Sequence, residues 1–288
     1  MIVKILRKIK RDGFIVTLKT IAQIVHNRFL SPDWDFEIVG AILENEVALG
    51  NQVTIIQIGA NTGNTDSEQI HGFLTKYCSP NSVMKSVCSA VLVEPVTYLF
   101  EQLVKNYAGY RGVFCENVAV AENAGTRSFY RLREGIDLES NGLAPWSEQL
   151  GSFIPKQMES LWQHDPKNTR LRKFVENNIV TDEVTCVSIK DLIAKHELTS
   201  VNLLLIDTEG YDYMILKTID FKLFSPCYIN FERIHLKKDE PRCRAMLTKN
   251  GYRLHDHGQD TLCEHVGRLS NLEILREKVY CIWLNIIY

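Results

Sequence analysis

Val53-Thr54-Ile55-Ile56-Gln57-Ile58-Gly59-Ala60-Asn61-Thr62-Gly63 is the stretch on which the reading of the fold turns. Its first six residues form an apolar run with the length of a buried strand. The glycines then permit a turn that side chains with a Cβ resist, and they let backbone approach a ligand. A helix is expected to follow through about Leu74, with N–H groups of the turn aimed at an anionic group. Tight strand–helix turns also carry glycine for steric reasons, so the turn alone decides little.

Working outward, the pattern repeats. Ala90-Val91-Leu92-Val93-Glu94 reads as a second strand stopped by Pro95, Tyr98 to Tyr107 as a helix, and Val113 to Val120 as a third strand. Val184 to Val187 and Val201 to Asp207 are further strands. They lead to a helix at Tyr213 to Thr218 and a strand at Cys227 to Glu232. A helix from Lys238 to Asn250 stops at Gly251. Strands near Tyr252–His255 and Val279–Ile287 then suggest an antiparallel pair at a sheet edge. Alternating strands and helices of this kind predict an α/β fold, a mostly parallel sheet with helices on both faces.

Residues 135–183 break the rhythm. From Gly135 to about Asn178 they hold Pro145, Trp146, Pro155, Trp162, Pro166 and a basic stretch from Lys167 to Lys173. They read as an inserted lid of short helices and loops, where acceptor specificity is expected. The tryptophans are read either as stacking on sugar faces or as packing a small lid core. Arg170, Arg172 and Lys173 are candidates to meet an acidic group. Residues 1–50 read as a helical extension and 51–288 as the catalytic domain.

Glu94 strengthens the glycine turn. A carboxylate ending the next strand lies where open α/β sheets gather ligand contacts, and it can accept both hydroxyl hydrogens of a ribose. The dinucleotide fingerprint G-x-G-x-x-G is absent, since Ala60 and Asn61 follow Gly59 and the spacing is G-x-x-x-G. Glu94 also lies beyond the ~20-residue spacing of that fingerprint, and no G-x-x-x-x-G-K-[ST] loop occurs. A ribose-binding acid without a pyrophosphate site points to S-adenosylmethionine. A nicotinamide-dependent oxidoreductase and a non-catalytic cofactor-binding domain are the competing readings.

Asp207, Glu209 and Asp212 follow the apolar run ending at Ile206, with Gly210 allowing a sharp turn. Asp212 suits the dipole of a helix N-terminus, whereas Asp207 directly ends a buried strand. Glu232 ends the following strand in the same way, with His235 three residues on. Asp207, Glu209, Glu232 and His235 are therefore the candidate catalytic residues, any of which can take a proton from an acceptor hydroxyl. No residue is assigned as a metal ligand. A divalent ion such as magnesium held by some of these acids is an open alternative. His255, His257, Asp260, Glu264 and His265 have metal-ligating side chains, but read as an ordinary polar loop.

These residues together resemble the FkbM family of S-adenosylmethionine-dependent methyltransferases from about Thr54 to Glu264. The resemblance is carried by Ile58-Gly59-Ala60-Asn61, Val93-Glu94-Pro95, Asn117-Val118-Ala119 and, most specifically, Leu203 to Asp212. Ile229-Asn230-Phe231-Glu232 and Asp260-Thr261 extend it. It implies a class I, Rossmann-like sheet of seven strands with one reversed. It also implies O-methylation, often on glycan sugars or polyketide-type products. By position, Gly59, Ala60, Asn61, Thr62 and Gly63 would surround the methionine end of the cofactor, and Glu94 with Pro95 the ribose. Asn117, Val118 and Ala119 would lie by the adenine, and Asp207 by the methionine portion or the reaction centre. One departure stands out. Gln57 occupies a position where many class I enzymes carry an acid, and an amide oxygen accepts the cofactor's ammonium without charge assistance.

Composition bounds the rest. The 288 residues are 45% hydrophobic and 24% charged, with a formal net charge of −2, which does not suit a nucleic-acid partner. Eight cysteines without a C-x-x-C pair read as free thiols of a cytoplasmic protein. Lys4, Arg7, Lys8, Lys10 and Arg11 precede Phe14, Leu18, Ile21, Val25 and Phe29 at helical spacing. That run is too short and polar for a transmembrane segment. It reads as an amphipathic helix packed on the domain, with peripheral contact to anionic lipid as the alternative. The partner is a small-molecule or glycan acceptor, and the sequence carries no signal of oligomeric state.

Overall fold

A computed structural model describes residues 37–48, 50–65, 68, 70–83 and 87–267. The basic N-terminal segment, Cys281 and the strand expected at Val279–Ile287 lie outside the described residues. The first half contains α1 (Glu37–Ala48), β1 (Val53–Ile58), α2 (His71–Cys78), β2 (Cys88–Val93), α3 (Thr97–Asn106), β3 (Val113–Glu116), β4 (Ala119–Val120) and β5 (Gly125–Leu132). There follow β6 (Gly151–Ser152), α4 (Ser160–Gln163), α5 (Thr169–Asn178), β7 (Ile179–Val187), α6 (Ile189–Lys195) and β8 (Leu203–Ile206). The last are α7 (Asp212–Leu216), β9 (Tyr228–Glu232), α8 (Glu240–Lys249), β10 (Tyr252–His257) and β11 (Asp260–His265).

A seven-stranded sheet runs β10-β11-β9-β8-β1-β2-β3. β3, β2, β1, β8 and β9 are parallel, while β11 is antiparallel to both of its neighbours and is the single reversed strand. The central strands lack polar alternation because both faces are covered. Val53 and Ile55 pack with Val39 and Leu43 of α1 and with Phe73 and Leu74 of α2. Ile56 and Ile58 face the other way, against a cluster that includes Ile189, Leu192, Ile215 and Leu247. The chain lays β2 and β3 on one side of β1 and returns to lay β8 on the other. The C-terminal ends of β1 and β8 therefore flank a topological switch point, where such sheets bind ligands. Among the described residues no helix is long and apolar enough to cross a membrane.

Four local expectations change. The helix expected directly after the glycine turn starts only at His71, because Asn61 and Gly63 adopt φ of 50° and 72° and turn the chain out of a right-handed helical path. The expected third strand splits, with β3 pairing β2 and β4 pairing β7. At the break, Asn117 Nδ2 donates to the carbonyls of Glu94 at 2.9 Å and Pro95 at 3.1 Å, which diverts the backbone. Residues 179–183, expected within the lid, belong to β7, whose antiparallel ladder with β5 runs from Gly125↔Cys186 to Leu132↔Ile179. The edge hairpin pairs β10 with β11, so the stretch read as a polar loop around Asp260 is a strand.

β4, β7, β5 and β6 form a second sheet of four strands. Between β5 and β7 the chain folds around its own small core of Leu132, Leu138, Met158, Leu161, Leu171 and Val175. Trp162 belongs to this core, whereas Trp146 is 60% exposed. Trp162 thus takes the packing reading. The seven described cysteines are free thiols.

Candidate active site

A cavity of about 690 Å³ opens at the C-terminal ends of β1, β2, β8 and β9, a size ordinary for small-molecule sites. Gln57, Gly59, Asn61, Glu94, Pro95, Val118 and Ala119 line one end, and Asp207, Glu209, Glu232, His235 and Asp260 the other. Phe129, Phe153 and Tyr211 form an aromatic wall, with ring centroids 5.3 Å and 4.9 Å apart along the series. Arg127 stacks on Phe153 at 4.3 Å and donates to Tyr211, whose hydroxyl donates to Glu122. This network ties β5 to the turn before α7.

The glycine turn is built for backbone contact within the protein. A Cβ on Gly59, which has φ of 86°, would lie 1.8 Å from the Asp207 carbonyl oxygen. The residue is glycine because the end of β8 comes that close. A Cβ on Gly63 would strike Leu103 and Tyr107 of and beside α3, at 2.5 and 2.4 Å. Every N–H of the turn is engaged. Gly59 and Ala60 donate to the Val93 carbonyl, Asn61 to Glu94 Oε2, Thr62 to Asn61 Oδ1 and Gly63 to the Ala60 carbonyl. The expectation that these groups greet an anion is therefore corrected: the end of β2 and the turn itself consume them. A pyrophosphate would find no donors here, which disfavours a dinucleotide.

Ala60, Thr62, Gly63 and Asn117 do not line the cavity. Ala60 is in the core, Thr62 borders a separate hollow beside Tyr98, and the Gly63 carbonyl accepts from Tyr107 Oη at 2.6 Å. With Asn117 they brace the wall from behind.

Glu94 is 5% exposed and held by two backbone donors, Asn61 N–H to Oε2 at 2.9 Å and Val96 N–H to Oε1 at 2.8 Å. Desolvation raises its pKa to about 7 against the pull of those donors. The position of Gln57 is resolved by a residue the sequence reading missed. Gln57 Nε2 donates to Glu68 Oε1 at 2.9 Å, and Glu68 lines the cavity. A carboxylate is therefore present next to position 57, supplied from the loop.

The opposite end is more heavily charged. Asp207 faces the open cavity, and desolvation with the nearby Asp260 raises its pKa to about 6. Glu209 has φ of 53°, a strained value for a residue with a side chain, and burial followed by repulsion from Asp207 raises its pKa to about 8. Burial and four neighbouring acids push Glu232 to about 10. Asp212 is fully buried, accepting from Thr208 Oγ1 at 2.7 Å and Glu232 N–H at 3.2 Å. It opens α7, as expected of an acid suited to a helix N-terminus, and it also ties β9 to that helix. Gly210 lets the His235 backbone approach, since a Cβ there would meet the His235 carbonyl oxygen at 3.1 Å.

The segment between β5 and β7 reaches both ends through side chains no local pattern announced. Asn61 Nδ2 donates to Gln149 Oε1 at 2.6 Å, Ser152 Oγ to the Glu209 carbonyl at 3.2 Å, and Gln157 Nε2 lies 2.5 Å from His235 Nδ1. Desolvation lowers the His235 pKa, keeping the ring neutral near pH 7. Arg170, Arg172 and Lys173 are exposed on α5 and do not line the cavity, and Arg172 pairs with Glu176. On the edge hairpin, His257 Nε2 meets Asn230 Oδ1 at 2.9 Å and His255 lies 3.8 Å from Glu264. The only group of described residues with metal-ligand proximity is Glu209, Glu232 and His235.

Among the described residues, six carboxylates line the cavity and no lysine or arginine does. This donor set fits a cofactor with a sulfonium and an ammonium group.

No curated protein matches the sequence. Among solved structures, the chain is similar to a class I S-adenosylmethionine-dependent methyltransferase from Listeria monocytogenes described as putative in its name. The identity is 9% and the TM-score 0.38, over 88% of this chain and 68% of that one. It is also similar to an O-methyltransferase from Bacillus cereus, with 11% identity and TM-score 0.37, over 87% and 100% of the two chains. A fibrillarin pre-rRNA processing protein from Methanococcus jannaschii aligns with 9% identity and TM-score 0.34, over 74% of this chain and 66% of that one. Likenesses this distant carry no argument about activity. The family comparison does: residues 57–254, well over half of the chain, match the model of the methyltransferase FkbM domain, and the chain belongs to this family of S-adenosylmethionine-dependent methyltransferases.

Proposed function

We propose that the protein methylates a hydroxyl oxygen of a sugar, glycan or natural-product acceptor. The observation that carries the reading is the polarity of the cavity, with a ribose-type carboxylate at one end and a cluster of proton-accepting groups at the other. When bound, S-adenosylmethionine supplies a methyl group already activated by its sulfonium. Glu94 would hold the ribose hydroxyls through lone pairs not taken by Asn61 and Val96. Glu68 and Gln57 would receive the ammonium, and Val118 and Ala119 would border the adenine. Asp207, Glu209, Glu232 and His235 face the acceptor end, where one of them takes the hydroxyl proton. The chain's main task is then alignment and exclusion of water, and alignment alone can supply ~7–11 kcal/mol of a barrier. The segment 135–178 serves as the lid in this reading, with exposed Trp146 at the cavity as the side chain to stack on a sugar face.

Incubation of the protein with labelled S-adenosylmethionine and glycan pools, followed by mass spectrometry, tests the assignment. The expected product carries the labelled methyl group on an oxygen. Binding of NAD with no response to S-adenosylmethionine sinks the reading, and cofactor binding without transfer to any acceptor favours a non-catalytic domain. We further place the protein in the cytoplasm. The basic N-terminal pattern would meet anionic lipid, a proposal abandoned if anionic liposomes fail to sediment the protein.

A further inference from the structure

We propose that Glu209, Glu232 and His235 form a binding site for one divalent cation of the manganese class, at the acceptor end of the cavity. The ion's role rests on the methyltransferase reading, but its site stands on geometry of its own. One ligand atom from each of the three residues lies within 4.8 Å of the others. Glu209 Oε2 and Glu232 Oε2 are sealed from solvent and accept no hydrogen bond. Enclosed carboxylate oxygens without a partner are costly, and folds keep them where a cation or donor arrives. His235 does not fill that role, since its Nε2 stands 3.4 Å from Glu209 Oε2 and 3.5 Å from Glu232 Oε1. Charge-assisted bonds are ~2.7–2.9 Å long.

The far side of the imidazole is already fixed. Nδ1 lies 2.5 Å from the Gln157 side-chain amide, and Gln157 itself is 4% exposed. As placed, the Gln157 amide nitrogen donates to Nδ1 and leaves the ring proton on Nε2. Cation binding requires the amide to turn over, so that its oxygen accepts from Nδ1–H and Nε2 offers a lone pair to the ion. A ligating histidine is generally anchored this way, through its other nitrogen. Gly210 is what lets the His235 segment come so near.

Charge closes the case. S-adenosylmethionine carries a sulfonium, an ammonium and a carboxylate, a net single positive charge, and no lysine or arginine stands among the described lining residues to meet the carboxyl groups it leaves without a partner. Two carboxylates and one imidazole form a mixed oxygen–nitrogen set. Thiolate is absent from it, carboxylates suit magnesium and manganese, and the one imidazole adds affinity for a first-row transition ion, so manganese meets both demands. An ion there would bind the acceptor oxygen and lower its pKa, leaving Asp207 to receive the proton.

The test uses the full chain stripped with a chelator and titrated with Mn²⁺, read by loss of the free-ion EPR signal, with a parallel S-adenosylmethionine titration. One Mn²⁺ per chain is expected. Glu209→Gln and Glu232→Gln should each weaken it by about tenfold or more, while His255→Gln on the edge hairpin leaves it unchanged. A chain that binds S-adenosylmethionine but no Mn²⁺ at millimolar concentration overturns the ion site and leaves the cofactor reading intact. Mn²⁺ binding without S-adenosylmethionine binding supports the site and sinks the cofactor reading instead. Undiminished Mn²⁺ binding in both glutamine variants overturns the assignment. So does full-rate methylation of an amine acceptor by the chelated protein, because the acids would then serve a cationic acceptor.

Discussion

At one end of the cavity both oxygens of Glu94 hold backbone N–H groups, while at the other Glu209 and Glu232 each keep an enclosed oxygen that holds nothing. The first end comes from one continuous stretch, residues 57 to 119, where β1, β2 and their turns lie side by side. The second is assembled from β8, β9, the β10–β11 turn and the segment between β5 and β7. Local chain supplies its own donors to a carboxylate. A site gathered from distant segments leaves carboxyl oxygens that folding does not pair, and they hold their protons to higher pH.

The largest effect should come from Gly59→Ala, which strikes both ends because Gly59 touches Asp207. A methyl group driven into a carbonyl oxygen at a left-handed φ should cost more than about 4 kcal/mol in urea unfolding. A variant of wild-type stability would mean that the two ends are not joined there. Trp162→Ala comes next, at about 3–5 kcal/mol, since that side chain fills the small core behind the acidic end. A loss below 1 kcal/mol would show that this core does not set the stability of the chain.

Glu94→Ala should weaken S-adenosylmethionine about 10- to 100-fold by calorimetry, the value of ~1.5–3 kcal/mol for hydrogen bonds to a charged group. Unchanged affinity would transfer the cofactor to the other end. The pH dependence separates the ends without a ligand. Asp207, Asp212, Glu209 and Glu232 have folded pKa values of about 6, 7, 8 and 10, all raised above their ordinary 3.8 or 4.5. Raised carboxyl groups bind more protons folded than unfolded, so stability is full below the ordinary values and falls as pH climbs through the folded ones. Tm should drop from pH 5 to pH 9, and Glu232→Gln should flatten that slope. A Tm that rises over this interval would contradict the charged description of the acidic end. The smallest effect belongs to Trp146→Ala, within about 0.5 kcal/mol in stability because the side chain is exposed. Its signature is a raised KM for acceptor at unchanged cofactor affinity.

Much of this was legible beforehand, and unevenly. β1, β2, β8 and β9 were readable because strands covered on both faces are uninterrupted apolar runs, and the next residue stands at the sheet's edge. Glu94, Asp207 and Glu232 were found by that logic. β5, with its sequence Gly-Thr-Arg-Ser-Phe-Tyr-Arg-Leu, was not, since it is half exposed and its pairing partners lie 47 to 61 residues further on. Glu68, Gln149 and Gln157 carried no local signal at all. Each became part of the site only through a partner 11, 88 or 78 residues away.

The sequence by itself determined which residues stand at the ends of the parallel strands, because burial and strand length are properties of a short window. Only the tertiary structure decided what those residues meet there. It spent the N–H groups of the Gly59–Gly63 turn on the end of β2 and on the turn itself, brought Glu68 to Gln57, and gathered the acids around His235. Hydrogen bonding and charge balance depend on distances between segments, and those distances are set when the sheet closes.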